Sequence, residues 1–265
     1  MSVLIVTPHS SGAVPTEVLA QMLGEKIFDS SARAERLEWI AREGDPYTDL
    51  IFHVPGALNI QAIYSRFVVD LNRPRDRRGS NGVIKLTDFE ENSWYPEGFA
   101  LSEAQYEERL QRYWDSFYAE LDRLVSLRRP RLLIDGHSMQ PQGPVIGPDK
   151  GRPRPALCLM AGEGDNTTLN AEQAEAVMGL LERHFAPVVA ASGYPNKDIA
   201  LNSPWNLDEL SLRYKQRFGI PAFGLEFNRA LFTRYLPDGE APDDGAIAQL
   251  NRAFRSFVDD LEPLF

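Results

Sequence analysis

The sequence has 265 residues, enough for one large α/β domain or two small ones, and 43% of them are hydrophobic, enough for a substantial core. The formal net charge of -10 and the isoelectric point of about 5.0 argue against nucleic acid or an anionic membrane as the main partner. The single cysteine, Cys158, the lack of any apolar run of membrane-spanning length and the lack of a signal-peptide core predict a cytoplasmic protein.

A short apolar run at residues 3–6 predicts a strand that is buried on both faces, as in a parallel sheet. We expect a tight turn after it, because Pro8 fixes its own φ and Gly12 can adopt conformations closed to other residues. A helix is predicted to begin near Thr16. His9 should therefore lie at the carboxyl end of a central strand, where open α/β sheets bind their ligands.

The following segments alternate between helical, strand-like and loop-like patterns. The predicted elements are a helix at 31–42, a short helix or edge strand at 47–52, a second buried strand at 67–69, an exposed loop at 74–82 and the longest helix at 103–128. In the longest helix, residues such as Leu110, Trp114 and Leu121 recur at helical spacing, so its aromatic residues are interpreted as core.

Residues 131–139 repeat the opening pattern, because an apolar strand ends in Gly136, His137 and Ser138. A loop rich in proline and glycine at 140–155 is expected to cover the site. The remaining predicted elements are strands at 155–160, 187–191 and 221–229, helices at 171–185, 207–218 and 246–265, and a polar loop at 194–205. This alternation over the whole length, with no linker or repeat, predicts one α/β domain.

His9 and His137 are the candidate metal ligands, because two imidazoles at strand ends can converge on one ion and imidazole is a common zinc ligand. The alternative is that each is a buried histidine with ordinary hydrogen bonds. A zinc site needs a third protein ligand, for which the candidates are Glu17, Asp45 and Asp49. Asp135 could be the carboxylate that orients His137 from behind. The other two histidines are His184, interpreted as surface, and His53, which stays ambiguous.

A cationic and amide-bearing set, Arg66, Asn72 and Arg73, flanks the predicted strand at 67–69 and suggests an anion site, since arginine binds carboxylates through two parallel hydrogen bonds. Arg73 could instead pair with Asp70. Glu226 lies between apolar residues of the last strand, where burial would raise its pKa and suit it for general-base chemistry. Its alternatives are a solvent-facing position or a pair with Arg229.

Taken together, these motifs resemble the N-formylglutamate amidohydrolase family. The matching blocks are Pro8-His9-Ser10-Ser11-Gly12, then the segment from Ser65-Arg66 to Asn72-Arg73-Pro74, then Asp135-Gly136-His137-Ser138, and finally Glu226-Phe227-Asn228-Arg229. Their order and spacing match over nearly the whole chain. The resemblance implies a single α/β domain at residues 1–265, with a mixed, mostly parallel sheet flanked by helices, of the zinc-exopeptidase (phosphorylase/hydrolase-like) type.

The resemblance also implies roles for individual residues. His9 and His137 match the metal-ligand histidines, and Asp45, preferred to Asp49, matches the acidic position after the first helices. Zinc carboxypeptidases have a glutamate three residues after the first histidine, but this chain has Gly12, so the third ligand must come from elsewhere. Arg66, Asn72 and Arg73 match the carboxylate-binding set, and Glu226 matches the glutamate that activates water.

One turn departs from the family pattern. The family often has an Asn-Pro-aromatic-Gly-Gly turn, whereas this chain has Asn202-Ser203-Pro204-Trp205-Asn206. The expected function is zinc-dependent hydrolysis of the N-acyl, in particular N-formyl, amide of an acidic amino acid such as N-formyl-L-glutamate. The altered turn keeps open an amidase or carboxypeptidase-like peptidase with another substrate. A metal-free carboxylate-binding module is the alternative from another class. The expected partner is the small-molecule substrate, and the oligomeric state stays open.

Overall fold

The computed structural model describes residues 2–236 and 239–265. Its strands and helices alternate along the chain, as the sequence predicts. The strands are β1 (Val3–Thr7), β2 (Leu58–Gln61), β3 (Leu132–Met139), β4 (Leu157–Met160), β5 (Ile199–Leu201), β6 (Ala222–Asn228), β7 (Thr233–Leu236) and β8 (Gly239–Pro242). The helices are α1 (Thr16–Leu23), α2 (Ser30–Glu43), α3 (Thr48–Ile51), α4 (Glu103–Arg109), α5 (Ser116–Arg128), α6 (Ala171–Ala191), α7 (Glu209–Phe218) and α8 (Asp244–Leu261).

A six-stranded sheet in the order β2-β1-β3-β6-β4-β5 forms the centre of the fold. β2, β1, β3 and β6 run parallel, whereas β4 is antiparallel to β6 and β5 runs parallel to β4. Helices pack on both faces. The prediction of an α/β domain with a mixed, mostly parallel sheet is therefore confirmed.

The central strands lack polar alternation because both of their faces are buried. In β1, Val3 and Ile5 pack into the core shared with α6 and α8, whereas Leu4 and Val6 pack into the core shared with α5 and α7. The same arrangement holds for β3, all eight of whose residues are buried. Such strands have only their carboxyl ends free to present polar side chains to a ligand.

The predicted strand at residues 67–69 is wrong. These residues are buried but form turns, with the Val68 amide donating to the Ser65 carbonyl at 2.9 Å. Aromatic side chains, and not neighbouring strands, bury these residues. The ring centroids of Phe67 and Trp94, for example, lie 4.5 Å apart. The sheet neighbour of β1 on this side is β2, whose four residues alternate between half-buried and exposed and were not predicted as a strand.

The predicted strand at residues 187–191 is also wrong, because α6 continues through Pro187 to Ala191. The long helix at 103–128 is present as α4 and α5, joined by a π-helical turn at Leu110–Asp115. The segment 47–52 contains α3, and the loop at 194–205 contains β5. The sequence did not predict β7 and β8, which pair antiparallel; residues 237–238 between them lie outside the described residues. Within the described chain, no helix is long and apolar enough to cross a membrane.

Candidate active site

An open cavity lies at the carboxyl ends of β1, β3 and β6. The seven residues that the family resemblance assigns to the site all line it: His9, Asp45, Arg66, Asn72, Arg73, His137 and Glu226. The loop at 140–155 covers one side, as predicted, and contributes Pro144, Ile146 and Pro148 to the wall. Three strand ends and one covering loop thus surround a single polar pocket.

His9, Asp45 and His137 converge in this pocket, each with a ligand atom within 4.8 Å of the others. All three are buried, at 1%, 3% and 2% exposure. Asp45 Oδ2 lies 3.1 Å from Nδ1 of His137 and 3.4 Å from Nδ1 of His9. The two rings therefore present the same kind of nitrogen to one carboxylate.

Backbone contacts fix Asp45 beside the first histidine. α2 ends at Glu43, and the Asp45 amide donates to the His9 carbonyl at 2.9 Å. Gly44 permits this approach, since a Cβ there would lie 3.1 Å from the His9 carbonyl oxygen. Gly12 cannot supply the third ligand, and a Cβ at that position would lie 2.7 Å from the Ala41 Cβ. α2 occupies the space that a longer side chain would need.

The outer nitrogen of each ring faces a second carboxylate. His9 Nε2 lies 2.8 Å from Asp70 Oδ1, and His137 Nε2 lies 2.8 Å from Asp135 Oδ2. Asn72 Nδ2 also lies 3.0 Å from His137 Nε2, so this nitrogen faces both an amide donor and the Asp135 carboxylate. At His9, Asp70 favours a proton on Nε2, which leaves Nδ1 available inside the cluster.

The charges of the cluster are strongly coupled. Burial alone would raise the pKa of Asp45, but the hydrogen bond from His137 and the charges of His9 and Arg66 hold it well below its usual range. Burial would lower the pKa of His137, but Asp135 and Asp45 raise it well above its usual value. The two groups therefore favour each other's charged forms, with His137 protonated and Asp45 ionised.

These donors fit a divalent metal ion. Two imidazole nitrogens and one carboxylate are the three-ligand set that leaves a position open in catalytic zinc sites. The buried Nδ1 of His9 has no hydrogen-bond partner within the described residues, although the opposite nitrogen of the ring is well held. Carboxylates behind both histidines are the usual support of metal-ligating imidazoles.

Glu226 lies on β6, directly opposite His137 in the parallel pairing with β3. Its side chain is 9% exposed, and its Oε2 has no hydrogen-bond partner among the described residues. Burial raises its pKa to about 7, with the charge of His137 opposing the shift. A carboxyl group with a pKa near neutrality can both accept and return a proton at physiological pH.

The three residues of the predicted carboxylate-binding set differ in how far their polar groups are already engaged. Arg66 pairs with Asp70 at 2.8 Å and lies 3.5 Å from Asp45. Asn72 accepts from the amides of Glu209 and Leu210, at 2.7 and 3.2 Å, and so holds the first turn of α7. Arg73 contacts an amide oxygen and a backbone carbonyl and forms no ion pair within the described residues.

A family model for N-formylglutamate amidohydrolase matches residues 1–233. The chain belongs to the N-formylglutamate amidohydrolase family. An N-formylglutamate deformylase of Pseudomonas putida is 32% identical over 159 residues, which cover 53% of this chain and 58% of that protein. The chain spans about half the length of the curated relatives it matches.

Two solved structures share the fold of this family member. An N-formylglutamate amidohydrolase from Ralstonia eutropha JMP134 aligns over 100% of this chain and 95% of its own, with a TM-score of 0.69 at 18% identity. A gene product from Agrobacterium tumefaciens aligns over 99% of this chain and 88% of its own, with a TM-score of 0.56 at 17% identity. The likeness confirms the fold over the full length of the chain.

Sequence reasoning missed several cavity residues in this family member. Asn81 lines the cavity, although its loop was predicted to be exposed, and Arg154 and Trp205 form a stacked pair 4.3 Å apart in the wall. Arg229, which the sequence analysis considered only as an ion-pair partner of Glu226, also lines the cavity. Lys85, which does not line the cavity, is fully buried against Asp70, at 3.2 Å. Apart from Trp205, each of these residues carries a charge or an amide, and a sequence pattern cannot tell such a residue from a solvated one.

The remaining candidates lie outside the cluster. Glu17 is exposed and accepts hydrogen bonds from Tyr113 and Arg112, at 2.6 and 2.9 Å. Asp49 lies in the first turn of α3 and does not line the cavity. His184 lies 3.0 Å from Asp260 and does not line the cavity, and His53 is exposed.

Proposed function

We propose that this chain is a zinc-dependent amidohydrolase that hydrolyses the N-formyl amide of an acidic amino acid such as N-formyl-L-glutamate, giving formate and the free amino acid. The observation that carries the proposal is the convergence of His9, Asp45 and His137 beside Glu226 in one cavity lined by arginines. Membership of the family and the name of the Pseudomonas putida relative support the same substrate. Residues 1–265 act as one catalytic domain in this proposal.

In this proposal His9, Asp45 and His137 hold the ion, with Asp70 and Asp135 orienting the two rings. A zinc ion at such a site supplies Lewis-acid polarisation of the scissile carbonyl and makes a water molecule more acidic. Arg66 pairs with both Asp45 and Asp70, so it keeps the carboxylate ligand and the support of His9 in fixed positions. The protein thus holds the three ligands and their supporting carboxylates in place before the substrate binds.

Glu226 acts as the general base and then as the general acid. It takes a proton from the attacking water and later gives a proton to the nitrogen of the leaving amino acid. Its burial supports this role, because a pKa of about 7 makes both transfers accessible near neutral pH. The apolar neighbours Met139, Met160 and Trp205 limit access of bulk water on this side of the cavity.

Arg66, Asn72 and Arg73 form the carboxylate-binding side of the cavity, and Arg73 makes the direct contact. Its guanidinium has no acidic partner within the described chain and can donate to a carboxylate of the substrate. Asn72 lies between Arg73 and the amino end of α7, and its backbone amide donates to Asp70 at 2.9 Å. The substrate carboxylate is thereby held at a fixed position relative to the metal ligands.

The test is a panel of N-acyl amino acids incubated with purified protein, with release of free amino acid and of formate as readouts and bound metal measured in the same preparation. We expect one zinc ion per chain and the highest kcat/KM on N-formyl-L-glutamate or N-formyl-L-aspartate. If the protein binds one metal ion per chain but hydrolyses only peptides, the result would favour a peptidase. Tight binding of a dicarboxylate without metal and without turnover would favour a binding module.

A further inference from the structure

Four arginines line the cavity, and two of them are neutralised by acidic side chains. Arg66 pairs with Asp70 at 2.8 Å and lies 3.5 Å from Asp45. Arg154 contacts both oxygens of Asp149, at 2.7 and 2.9 Å, in a two-pronged ion pair that closes the loop at 140–155. A guanidinium that is already satisfied in this way gains little from a further anion.

The other two arginines, Arg73 and Arg229, have no acidic side chain within 4.0 Å anywhere in residues 2–236 and 239–265. Arg73 donates through Nε and Nη2 to Asn81 Oδ1, at 3.1 Å each, and through Nη1 to the Asn72 carbonyl. Arg229 donates through Nη2 to the carbonyls of Gly44 and Arg42, at 3.0 and 2.5 Å. Neutral acceptors orient each guanidinium, so neither has a direct ion-pair partner among the described residues.

Arg229 is the more unusual of the two, because it is only 2% exposed and its Nε has no hydrogen-bond partner among the described residues. A buried charge without a counter-ion is costly, since the interior does not replace the water around it. Arg229 nevertheless lines the open cavity, so an anion that enters the cavity can supply the missing charge. Its position therefore indicates a binding role.

The two arginines are anchored to different parts of the fold. The carbonyl of Arg73 accepts a hydrogen bond from Trp114, which belongs to the core on the α5 and α7 side. The guanidinium of Arg229 donates to the Arg42 and Gly44 carbonyls at the carboxyl end of α2. Two separately anchored cationic groups in one cavity match a ligand that carries two separate negative charges.

Glu43 is the acidic residue to weigh against this interpretation, because it also lines the cavity near Arg229. Its ion pair is with Arg42, at 3.9 Å, and not with Arg229. Burial raises the pKa of Glu43, with the charge of Arg229 opposing the shift. Glu43 is thus too distant to form the hydrogen bonds that a carboxylate of the substrate could form with Arg229.

We propose that Arg229 forms a second carboxylate subsite, so that the cavity binds N-acyl amino acids with two carboxylates, the α-carboxylate at Arg73 and the side-chain carboxylate at Arg229. This inference rests on the proposed function and adds the residue that selects acidic side chains. It also explains why Arg229 is held by two backbone carbonyls, since a rigid guanidinium discriminates between ligands better than a mobile one.

The test compares N-formyl-L-glutamate with N-formyl-L-glutamine, which has the same shape and an uncharged side chain. We expect the wild type to prefer the glutamate substrate and Arg229→Gln to lose about 10- to 100-fold of that preference, the range for a hydrogen bond to a charged group. The loss should appear in KM for the glutamate substrate, with kcat/KM for the glutamine substrate nearly unchanged. Equal losses on both substrates would overturn the subsite and assign Arg229 to holding the Gly44 segment.

Two further variants sharpen the result. Arg229→Lys keeps a positive charge and should retain part of the preference for N-formyl-L-glutamate over N-formyl-L-glutamine. This partial retention would show that the loss in Arg229→Gln comes from the charge and not from a folding defect. Arg73→Gln should instead reduce the preference for N-formyl-L-glutamate over N-formyl-L-isoglutamine, whose α-carboxylate is an amide. If Arg73→Gln and Arg229→Gln change the same preference, the two arginines do not form separate subsites and the inference fails.

Binding measurements separate this inference from the proposed function. In a Glu226→Gln background, titration calorimetry with N-formyl-L-glutamate and N-formyl-L-glutamine reports affinity without turnover. A preference for the glutamate ligand that disappears with Arg229→Gln supports the subsite even if the wild type fails to release formate. Conversely, an active wild type whose variant keeps the full preference in binding refutes the subsite and leaves the proposed function standing.

Discussion

Glu226 and His137 are direct partners in the parallel pairing of β6 with β3, so one pair of sheet neighbours supplies the proposed base and one proposed metal ligand. We expect Glu226→Gln to lower kcat by roughly 10²–10⁴, the usual contribution of a positioned general base, because the amide keeps the shape and cannot accept a proton. Steady-state kinetics and metal content, measured on the same preparation, check this. Glu172→Gln, on the exposed first turn of α6, is the matched control. A kcat close to that of the wild type would assign the base to another carboxylate.

Removal of one proposed ligand should release the metal. His9→Ala and His137→Ala each leave two protein ligands, too few for a stable zinc site, so we expect loss of most bound zinc and of nearly all activity. Asp45→Asn should weaken zinc binding, whereas Asp49→Asn, four residues further on and outside the cluster, should not. Elemental analysis of the metal content tests these expectations. Loss of zinc from Asp49→Asn but not from Asp45→Asn would exclude Asp45 as the third ligand.

Uninterrupted apolar runs in the sequence correctly predicted β1 and β3, the strands that position His9 and His137. A strand covered on both faces needs an uninterrupted apolar run, as in residues 3–6, and the polar residues that end the run mark the edge of the sheet. The same rule failed at residues 67–69, because aromatic side chains can bury an apolar turn as completely as neighbouring strands can. It also missed β2, a half-exposed strand with few apolar residues.

Site residues that lie within a sequence motif could be predicted. Residues whose role depends on contacts with distant parts of the chain could not. His9 follows β1, whereas His137 and Glu226 lie within the last three residues of β3 and β6. Asp45 was placed through the family resemblance. In contrast, the partners of Arg229 are backbone carbonyls 185 and 187 residues away, which no local pattern can indicate. Whether an arginine in the sequence is neutralised or free depends on such contacts, and this decides which arginines can bind substrate.

Metal uptake should release protons. The pKa of His137 is raised well above its usual value, since Asp135 and Asp45 outweigh the effect of burial, so the metal-free protein carries a proton that zinc must displace. Titration calorimetry in buffers of different ionisation enthalpy should therefore report release of about one proton or more per zinc ion at pH 7. Asp135→Asn removes a main cause of the raised pKa and should reduce the release. Zinc binding without any proton release in the wild type would contradict the assignment.

Asn81 should control the charge that Arg73 offers to the substrate. Its amide oxygen orients the guanidinium without neutralising it, whereas Asn81→Asp would place a carboxylate in the same position and form an ion pair. We expect the variant to lose about 1.5–3 kcal/mol of transition-state binding for N-formyl-L-glutamate, the range for hydrogen bonds to charged groups. Arg73→Lys should cost a similar amount, since an ammonium offers no planar pair of donors.

The control for both variants is a substrate whose α-carboxylate is amidated, such as N-formyl-L-isoglutamine. Its kcat/KM should change much less, because it has no charge at that position for Arg73 to bind. Equal losses on the two substrates would mean that Asn81 and Arg73 support the fold, and the carboxylate-binding role of Arg73 would fail.

Lys85 should make stability depend on pH in the mildly alkaline range. Its ammonium is fully buried, 3.2 Å from Asp70 Oδ2 and 3.0 Å from the Gly82 carbonyl, and burial lowers its pKa from 10.5 to about 7. Between these two values the unfolded chain holds a proton that the folded chain has released. The free energy of unfolding therefore rises with pH across this window, by up to about 1.4 kcal/mol per pH unit, and below about pH 7 the contribution becomes constant.

Urea unfolding of the metal-free protein at pH 7, 8 and 9 tests this linkage. Lys85→Met has no proton to release, so its stability relative to the wild type should fall steadily as pH increases, by roughly 1–2.5 kcal/mol over the two units. Other titrating groups are common to both proteins and cancel in the difference. Lys26→Met, at an exposed position, should show no such trend. A difference between wild type and Lys85→Met that is constant from pH 7 to pH 9 would mean that Lys85 stays charged in the folded protein, held by Asp70.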